Sequence, residues 1–355
     1  MTQTSFLRDA SSTSSGLLAM LGEQKDIRYF AATPRNVLNN PMATGMGFWS
    51  INPYVGCAFG CAYCYARYAH RYAAERLATA AQHNSGDALP TDDLPPWLAF
   101  ERRIMVKREA PALVRREIAR SATLEALRRE RVVIGTATDP YQPAERHFRV
   151  TRGVLEVLAE QRNIGVTIIT KSPLVTRDVD LLKRINERSR LSVHVSLITV
   201  DRELARRLEP RAPTPEARLR GIARLRANGI EVGVNAMPVL PGITDSPAMI
   251  DALVQSVKSA DASYIGACAL RLQATARERY LPFIAAEFPA LAEKYRRAYA
   301  NGYQVSERYR DGLRARFARV CARYGVAFGR QYEPDDGAAG AGDTGESPLQ
   351  LALPM

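Results

Sequence analysis

The sequence predicts an α/β protein whose six parallel β-α units curl into a partial barrel, with C-terminal helices packed on it. Three observations carry that prediction. Short β-branched runs alternate with helix-length stretches from about residue 111 to residue 272. Strands spaced by helices of that length pair in parallel through right-handed crossovers. A loop of three cysteines follows the first apolar run, and folds of this kind hold their ligands at the carboxyl ends of their strands.

Residues 1–48 have little periodic signal, and the run from Ser11 to Ser15 reads as part of a loose extension. The core is expected to span residues 49–275. Trp49 to Val55 reads as a strand interrupted by Pro53. After the cysteine loop, the breaker-free stretch from Tyr65 to Ala81 reads as a helix. His83 to Pro96 contains Asn, Ser, Gly, Asp and three prolines, the composition of a loop. A helix is expected from Pro111, a favoured first-turn residue, to Arg129. Arg131 to Thr136 reads as a buried strand, Thr151 to Gln161 as an amphipathic helix, and Val166 to Thr170 as a strand. Asp178 to Arg188 follows as a helix and Leu191 to Val200 as a strand. Pro215 to Ala227 is a helix closed by Asn228-Gly229. Glu231 to Met237, Pro247 to Ser259 and Tyr264 to Leu272 supply the last strand, helix and strand. Residues 276–330 read as a helical extension, and the acidic, Gly/Ala-rich stretch 331–355 as a disordered tail.

Hydrophobic residues make up 46% and charged residues 24% of the 355, a globular mixture that excludes a wholly disordered chain. No run approaches the roughly 18 apolar residues of a membrane helix. Leu17 to Leu21 is shorter than the roughly 7–15-residue apolar core of a signal peptide. A cytoplasmic protein without membrane association is therefore expected. The formal charge is +12, and residues 331–355 hold five acids and no Lys or Arg, which leaves +17 on the first 330. Such a surface attracts polyanions and makes nucleic acid a candidate partner. Only six of the 49 basic residues are Lys, so a genomic preference for Arg codons accounts for the same charge without a partner. Residues 271–330 interleave thirteen bases with Tyr295, Tyr299, Tyr303, Tyr309 and Tyr324, a pattern suited to stacking single strands.

Five cysteines say more about chemistry. Cys57, Cys61 and Cys64 fall within eight residues, while Cys268 and Cys321 stand alone. An odd, clustered set in a non-secreted chain reads as a metal site rather than a disulfide framework. Gly56 and Gly60 let the loop turn tightly. Three thiolates at this spacing can wrap one face of an iron–sulfur cubane, leaving one iron open. An open position distinguishes a catalytic from a closed structural metal site. Zinc is the rival, but structural zinc sites pair two short couples and no second couple is present here. The lone Cys268 and Cys321 read as small core residues.

Cys57-x3-Cys61-x2-Cys64, with Tyr63 before the third cysteine and six β-α units around it, resembles the radical S-adenosylmethionine (radical SAM) enzymes. A narrower likeness, to the spore photoproduct lyase-like branch often labelled DNA repair photolyase, rests on several stretches. These are Asn52-Pro53-Tyr54-Val55-Gly56-Cys57, Cys64-Tyr65-Ala66-Arg67, Thr138 to Glu145, Thr170-Lys171-Ser172, Arg206 to Arg211 and Pro238 to Asp245. The resemblance implies a 4Fe–4S cluster that binds S-adenosylmethionine at its open iron and cleaves it reductively to a 5′-deoxyadenosyl radical, which takes hydrogen from substrate. It also implies a flavodoxin- or ferredoxin-type reductant.

By the same resemblance Cys57, Cys61 and Cys64 are the metal ligands and Tyr63 contacts adenine. Thr138 and Asp139 hold the methionine amino group, and Lys171, at the end of the third strand, its carboxylate, with Arg211 next in line. Ser192, His194 and Ser196 alternate with apolar neighbours, so one strand face is polar. Ser196 is placed near the ribose, Asn235 on the fifth strand faces lumen or core, and His194 reads as a satisfied core histidine. Tyr65 matches a tyrosine implicated in hydrogen transfer and is the candidate catalytic residue. The branch also uses a cysteine just past the second strand, where this chain has Gly135-Thr136-Ala137-Thr138-Asp139, so thymine-dimer repair is not assigned. Two rivals remain at this point: an iron–sulfur protein without S-adenosylmethionine chemistry, and a zinc protein that binds nucleic acid.

Overall fold

The computed structural model describes residues 19–44, 47–69 and 94–329. Ser11–Ser15, the helix expected beyond residue 69, most of the 83–96 loop and the acidic tail lie outside the described residues.

Eight strands form the main sheet. In spatial order these are β12 (Ala327–Phe328), β11 (Tyr264–Ala269), β10 (Glu231–Val239), β9 (Arg190–Ser196), β8 (Gly165–Thr170), β7 (Arg131–Ile134), β4 (Trp49–Ile51) and β3 (Leu38–Asn39). From β4 to β11 every neighbouring pair is parallel. These six strands are the expected partial barrel. The hydrophobic pattern locates them because both faces are covered: Val132, Val166, Val193, Val232 and Ile265 are all fully buried. Helices are set by their caps. Thr214 and Ser246 accept backbone N–H bonds from Ala217 and Met249, each ahead of a first-turn proline, to start Pro215–Arg226 and Pro247–Ser259.

The structure departs from the sequence reading in several places. The helix expected over 111–129 is two helices, Ala110–Ile118 and Ser121–Arg129, because Arg120 is extended at φ −77° and ψ 120°. The break lets the first helix bury Val114 and Ile118 and the second Leu127 on separate faces. Pro53 divides the first expected strand, so β4 joins the barrel while β5 (Tyr54–Val55) joins a second sheet. That sheet, of order β1-β2-β6-β5, uses β1 (Met20–Gln24), β2 (Ile27–Ala31) and β6 (Arg103–Val106), none of them expected. Finally, β12 extends the main sheet beyond β11 after the helix Glu307–Tyr324, where only helices were expected.

The tyrosines of the 271–330 stretch do not form the stacking surface expected of them. Tyr295 and Tyr299 are buried and stacked on each other at 6.0 Å, with hydroxyls given to the Pro241 and Leu270 carbonyls. Tyr309 and Tyr324 are half-buried and donate to Asp245 and Asp251. They fasten the C-terminal helices to the barrel, and only Tyr303 is well exposed. Among the described residues no helix is long and apolar enough to cross a membrane.

Candidate active site

The carboxyl ends of the barrel strands surround an open cavity. Ten of the residues named above line it: Cys57, Cys61, Tyr63, Cys64, Tyr65, Thr138, Asp139, Lys171, Ser196 and Asn235. Residues more than a hundred positions apart meet here because parallel strands deliver all their carboxyl ends to one side.

The cysteine loop is held by backbone and by buried polar groups. Gly56 has φ +86°, and a Cβ there would lie 2.8 Å from the Phe100 carbonyl oxygen, which itself accepts the Cys57 N–H at 2.9 Å. At Gly60, φ is +65° and a Cβ would come within 2.9 Å of a Glu101 carboxylate oxygen. Gln142 ties the loop from the other side, accepting the Ala58 N–H at 2.9 Å and donating to the Gly56 carbonyl at 3.0 Å. Arg67, fully buried, donates to the Cys61 carbonyl and to Glu101, both at 2.7 Å. Glu101 in turn accepts from Arg211 at 3.0 Å. Arg211 is thus engaged with Glu101 and Asp26 and is not among the cavity-lining residues, which corrects its place as second choice for a cofactor carboxylate. Arg271, two residues past β11, does line the cavity.

A buried charge cluster lies behind the third strand's end. Glu209 accepts hydrogen bonds from the Tyr63 hydroxyl and from Arg218, and the Lys171 ammonium stands 4.0 Å from it. That ammonium also sits 5.7 Å above the Tyr63 ring. Burial works against the Glu209 carboxylate, but Arg218 and Lys171 hold it below its usual range. Burial likewise opposes the Lys171 charge, and Cys61 and Glu209 overcome it, so the lysine stays cationic. Neither Glu209 nor Arg218 was singled out from sequence as a site residue. The only signal was the run Arg206 to Arg211, which does not tell a buried carboxylate from a solvated one.

Thr138 and Asp139 are engaged with their own chain. Thr138 donates to the Gly56 carbonyl at 2.6 Å. Asp139 accepts from Thr170 and the Tyr141 and Lys171 amides at 2.7–2.9 Å, and so aligns the ends of β7 and β8. Tyr65 donates its hydroxyl to the Thr136 carbonyl. Cys321 is buried in the last helix, and Cys268 is half-buried on β11 outside the cavity lining.

The donor set fits an iron–sulfur cluster. Burial pushes the Cys57 thiol up to about 12 and raises Cys61 and Cys64 as well. Such thiols persist as thiolates only beside positive charge, which Lys171 and Arg67 supply in part and a bound metal supplies in full. Among the described residues no three His, Cys, Asp or Glu side chains group as ligands of a single ion. The thiols instead share one cavity wall, as a cluster needs when each thiolate takes its own iron.

Comparison with known proteins agrees with this arrangement. A model of the radical SAM superfamily matches residues 51–253. An uncharacterized protein of Mycobacterium tuberculosis is 33% identical over 304 residues, covering 85% of this chain and 82% of its own length. One of Methanocaldococcus jannaschii is 26% identical over 206 residues, 58% of this chain and 66% of its own. Among solved structures, a spore photoproduct lyase mutant with bound AdoMet and dinucleoside spore photoproduct superposes with a TM-score of 0.57 at 15% identity. It covers 84% of this chain and 81% of its own. At that identity the likeness is one of fold.

Proposed function

The chain belongs to the radical SAM superfamily of enzymes, and from that premise we propose that the cavity holds one 4Fe–4S cluster with S-adenosylmethionine and acts on a nucleic acid or nucleotide. The observation that carries the reading is the convergence of three thiols, two of them buried, and a charged lysine on one cavity at the barrel mouth. When bound, the cluster and cofactor supply a 5′-deoxyadenosyl radical that takes a hydrogen atom from substrate. The protein's own residues position and shield that chemistry. Cys57, Cys61 and Cys64 would hold the cluster. Thr138 and Asp139 would hold the cofactor's amino group, Lys171 its carboxylate, and Tyr63 and Ser196 its nucleoside. The apolar wall of Phe59, Phe100, Ile169 and Leu270 keeps water out. A flavodoxin- or ferredoxin-type protein provides the electron.

Two things support the substrate class. The first 330 residues carry a formal charge of +17, which draws polyanions. A fold relative, a spore photoproduct lyase mutant, was solved with bound AdoMet and dinucleoside spore photoproduct. The reading is tested by feeding the reduced enzyme deuterated DNA, deuterated RNA or a deuterated nucleotide pool and looking for deuterium in 5′-deoxyadenosine. Transfer from one of the three supports it. Transfer only from a deuterated extract cleared of nucleotides and nucleic acids overturns the substrate class.

Lys171→Ala should weaken S-adenosylmethionine binding by about 1.5–3 kcal/mol, the worth of a charged hydrogen bond. The fold should persist, because Glu209 keeps Arg218 and Tyr63. Equilibrium dialysis with labelled cofactor measures it, and unchanged affinity would move the carboxylate contact to Arg271. Tyr65→Phe should retain both cofactor affinity and 5′-deoxyadenosine formation but lower the yield of product. An unchanged yield would make Tyr65 a strut for the Thr136 carbonyl.

A further inference from the structure

A cationic network lies against the cysteine loop, outside the cavity lining. Its centre is Arg67, three residues past Cys64 in the short turn Tyr65–Arg67. The side chain is fully buried, and its guanidinium donates to the Cys61 carbonyl at 2.7 Å. That same carbonyl accepts the Cys64 N–H at 3.2 Å, so the charge sits where two of the ligand cysteines are tied together. The Phe100 ring, part of the cavity wall, stands 5.7 Å from the guanidinium. Glu101 pairs with Arg67 at 2.7 Å but is shared, since Arg211 reaches it at 3.0 Å and Arg279 at 3.9 Å. Asp26 is divided in the same way between Arg102 at 3.1 Å and Arg211 at 3.5 Å. Four guanidiniums thus share two carboxylates. The network touches the loop again at Gly60, where a Cβ would stand 3.3 Å from the Arg211 guanidinium, and at Phe59, whose carbonyl accepts the Arg211 amide at 3.3 Å.

Electrostatics says what such an excess does. Three thiolates bring negative charge into a buried loop, and reducing a bound cluster adds one more. Charge in a medium of low dielectric is costly unless the opposite charge stands near it. Cluster potentials accordingly answer to net charge, hydrogen bonding and exposure. A guanidinium never loses its proton in a protein, and a buried one is little screened by salt. Arg67 therefore favours the reduced form of a cluster held by this loop, and Glu101, beside it, works the other way. The other flank of the site repeats the pattern, with Lys171 and Arg218 both on Glu209.

We propose that Arg67 is a positioning residue at the Cys61 carbonyl whose charge, left incompletely offset because Glu101 is shared with Arg211 and Arg279, raises the reduction potential of the bound cluster. The proposal rests on the cavity being the site of the 4Fe–4S cluster. The step concerned moves one electron from the flavodoxin- or ferredoxin-type reductant, or from dithionite, to the cluster. The donor is oxidised by that electron, and no bond forms or breaks. The test poises the anaerobically reconstituted full-length protein at a series of potentials and reads the reduced cluster by electron paramagnetic resonance. Arg67→Gln should shift the midpoint to lower potential, and Arg67→Lys, which keeps a buried cation, should bring it back toward the parent. Glu101→Gln should shift it the opposite way, because it removes a negative charge from the same place. Arg211→Gln, on a half-buried side chain, should lower the midpoint as Arg67→Gln does, and it decides the matter if the buried variants do not fold. Iron and sulfide analysis checks that each variant carries the parent's cluster. Equal midpoints in the parent and Arg67→Gln, or in the parent and Arg211→Gln where only that variant folds, overturn the proposal and leave the cofactor reading standing. A downward shift in Glu101→Gln as well as in Arg67→Gln also overturns it, being the mark of a loosened loop rather than of charge. A parent protein that assembles no four-iron cluster contradicts the cofactor reading and removes this proposal with it.

Discussion

Changing any one of Cys57, Cys61 or Cys64 to Ala is expected to abolish the brown iron–sulfur absorbance and all 5′-deoxyadenosine formation. Cys268→Ala and Cys321→Ala are expected to leave both intact. The contrast follows from position. The first three thiols line one cavity and the other two do not. With two local thiolates the cluster would lack a protein ligand at a second iron, and neither lone cysteine lies on the cavity wall to replace it. The fold should survive all five changes, since the loop is held by Gln142, Arg67 and the Phe100 carbonyl rather than by the thiols. Iron and sulfide analysis after anaerobic purification, beside circular dichroism, separates loss of the cluster from loss of the fold. A missing cluster in Cys268→Ala or Cys321→Ala would contradict three-cysteine ligation.

The second large effect is expected at Arg218. Its guanidinium is buried and donates to the carbonyls of Pro213 and Ser196, both at 2.9 Å, and to Glu209. Arg218→Leu leaves the Glu209 carboxylate in the interior with Tyr63 and a lysine 4.0 Å away. Removing one partner of a buried ion pair costs about 3–5 kcal/mol, so melting should fall by on the order of 10 °C. Changing both Glu209 and Arg218 to Leu should recover much of that stability, since well-packed apolar pairs often replace buried ion pairs at no loss. Cofactor affinity should not recover, because Tyr63 and Lys171 have lost the group that places them. A single variant melting within about 1 kcal/mol of the parent would show that the pair is not an anchor.

The barrel was readable because its strands are buried on both faces and write β-branched runs, as at Arg131–Ile134 and Gly165–Thr170. The second sheet was not, because β1 and β2 are only five residues each, β1 is half-exposed, and β6 is a four-residue strand directly after a helix. Arg120 broke an expected helix without any Gly or Pro to announce it. At the site, the cysteine motif named the ligands and the strand ends named the wall, so the nominated residues reached the cavity, apart from the second-choice Arg211. What stayed hidden were the residues that act through others. Glu209, Arg218, Glu101 and Arg67 look in sequence like ordinary surface charges, and only the packing shows them buried and paired. The tyrosines of the C-terminal stretch mislead for the converse reason: their spacing suits a binding face, yet Tyr295 and Tyr299 seal a core.

The measurement that bears most directly on the central claim is reductive cleavage itself. Full-length protein, purified anaerobically and reconstituted with iron and sulfide, is mixed with S-adenosylmethionine and dithionite, and the products are followed by chromatography. The account predicts about four irons per chain, and 5′-deoxyadenosine that appears only when protein, cofactor and reductant are all present and is absent with Cys61→Ala. A four-iron protein that binds S-adenosylmethionine but releases no 5′-deoxyadenosine on reduction, or a colourless protein with one zinc, would contradict it.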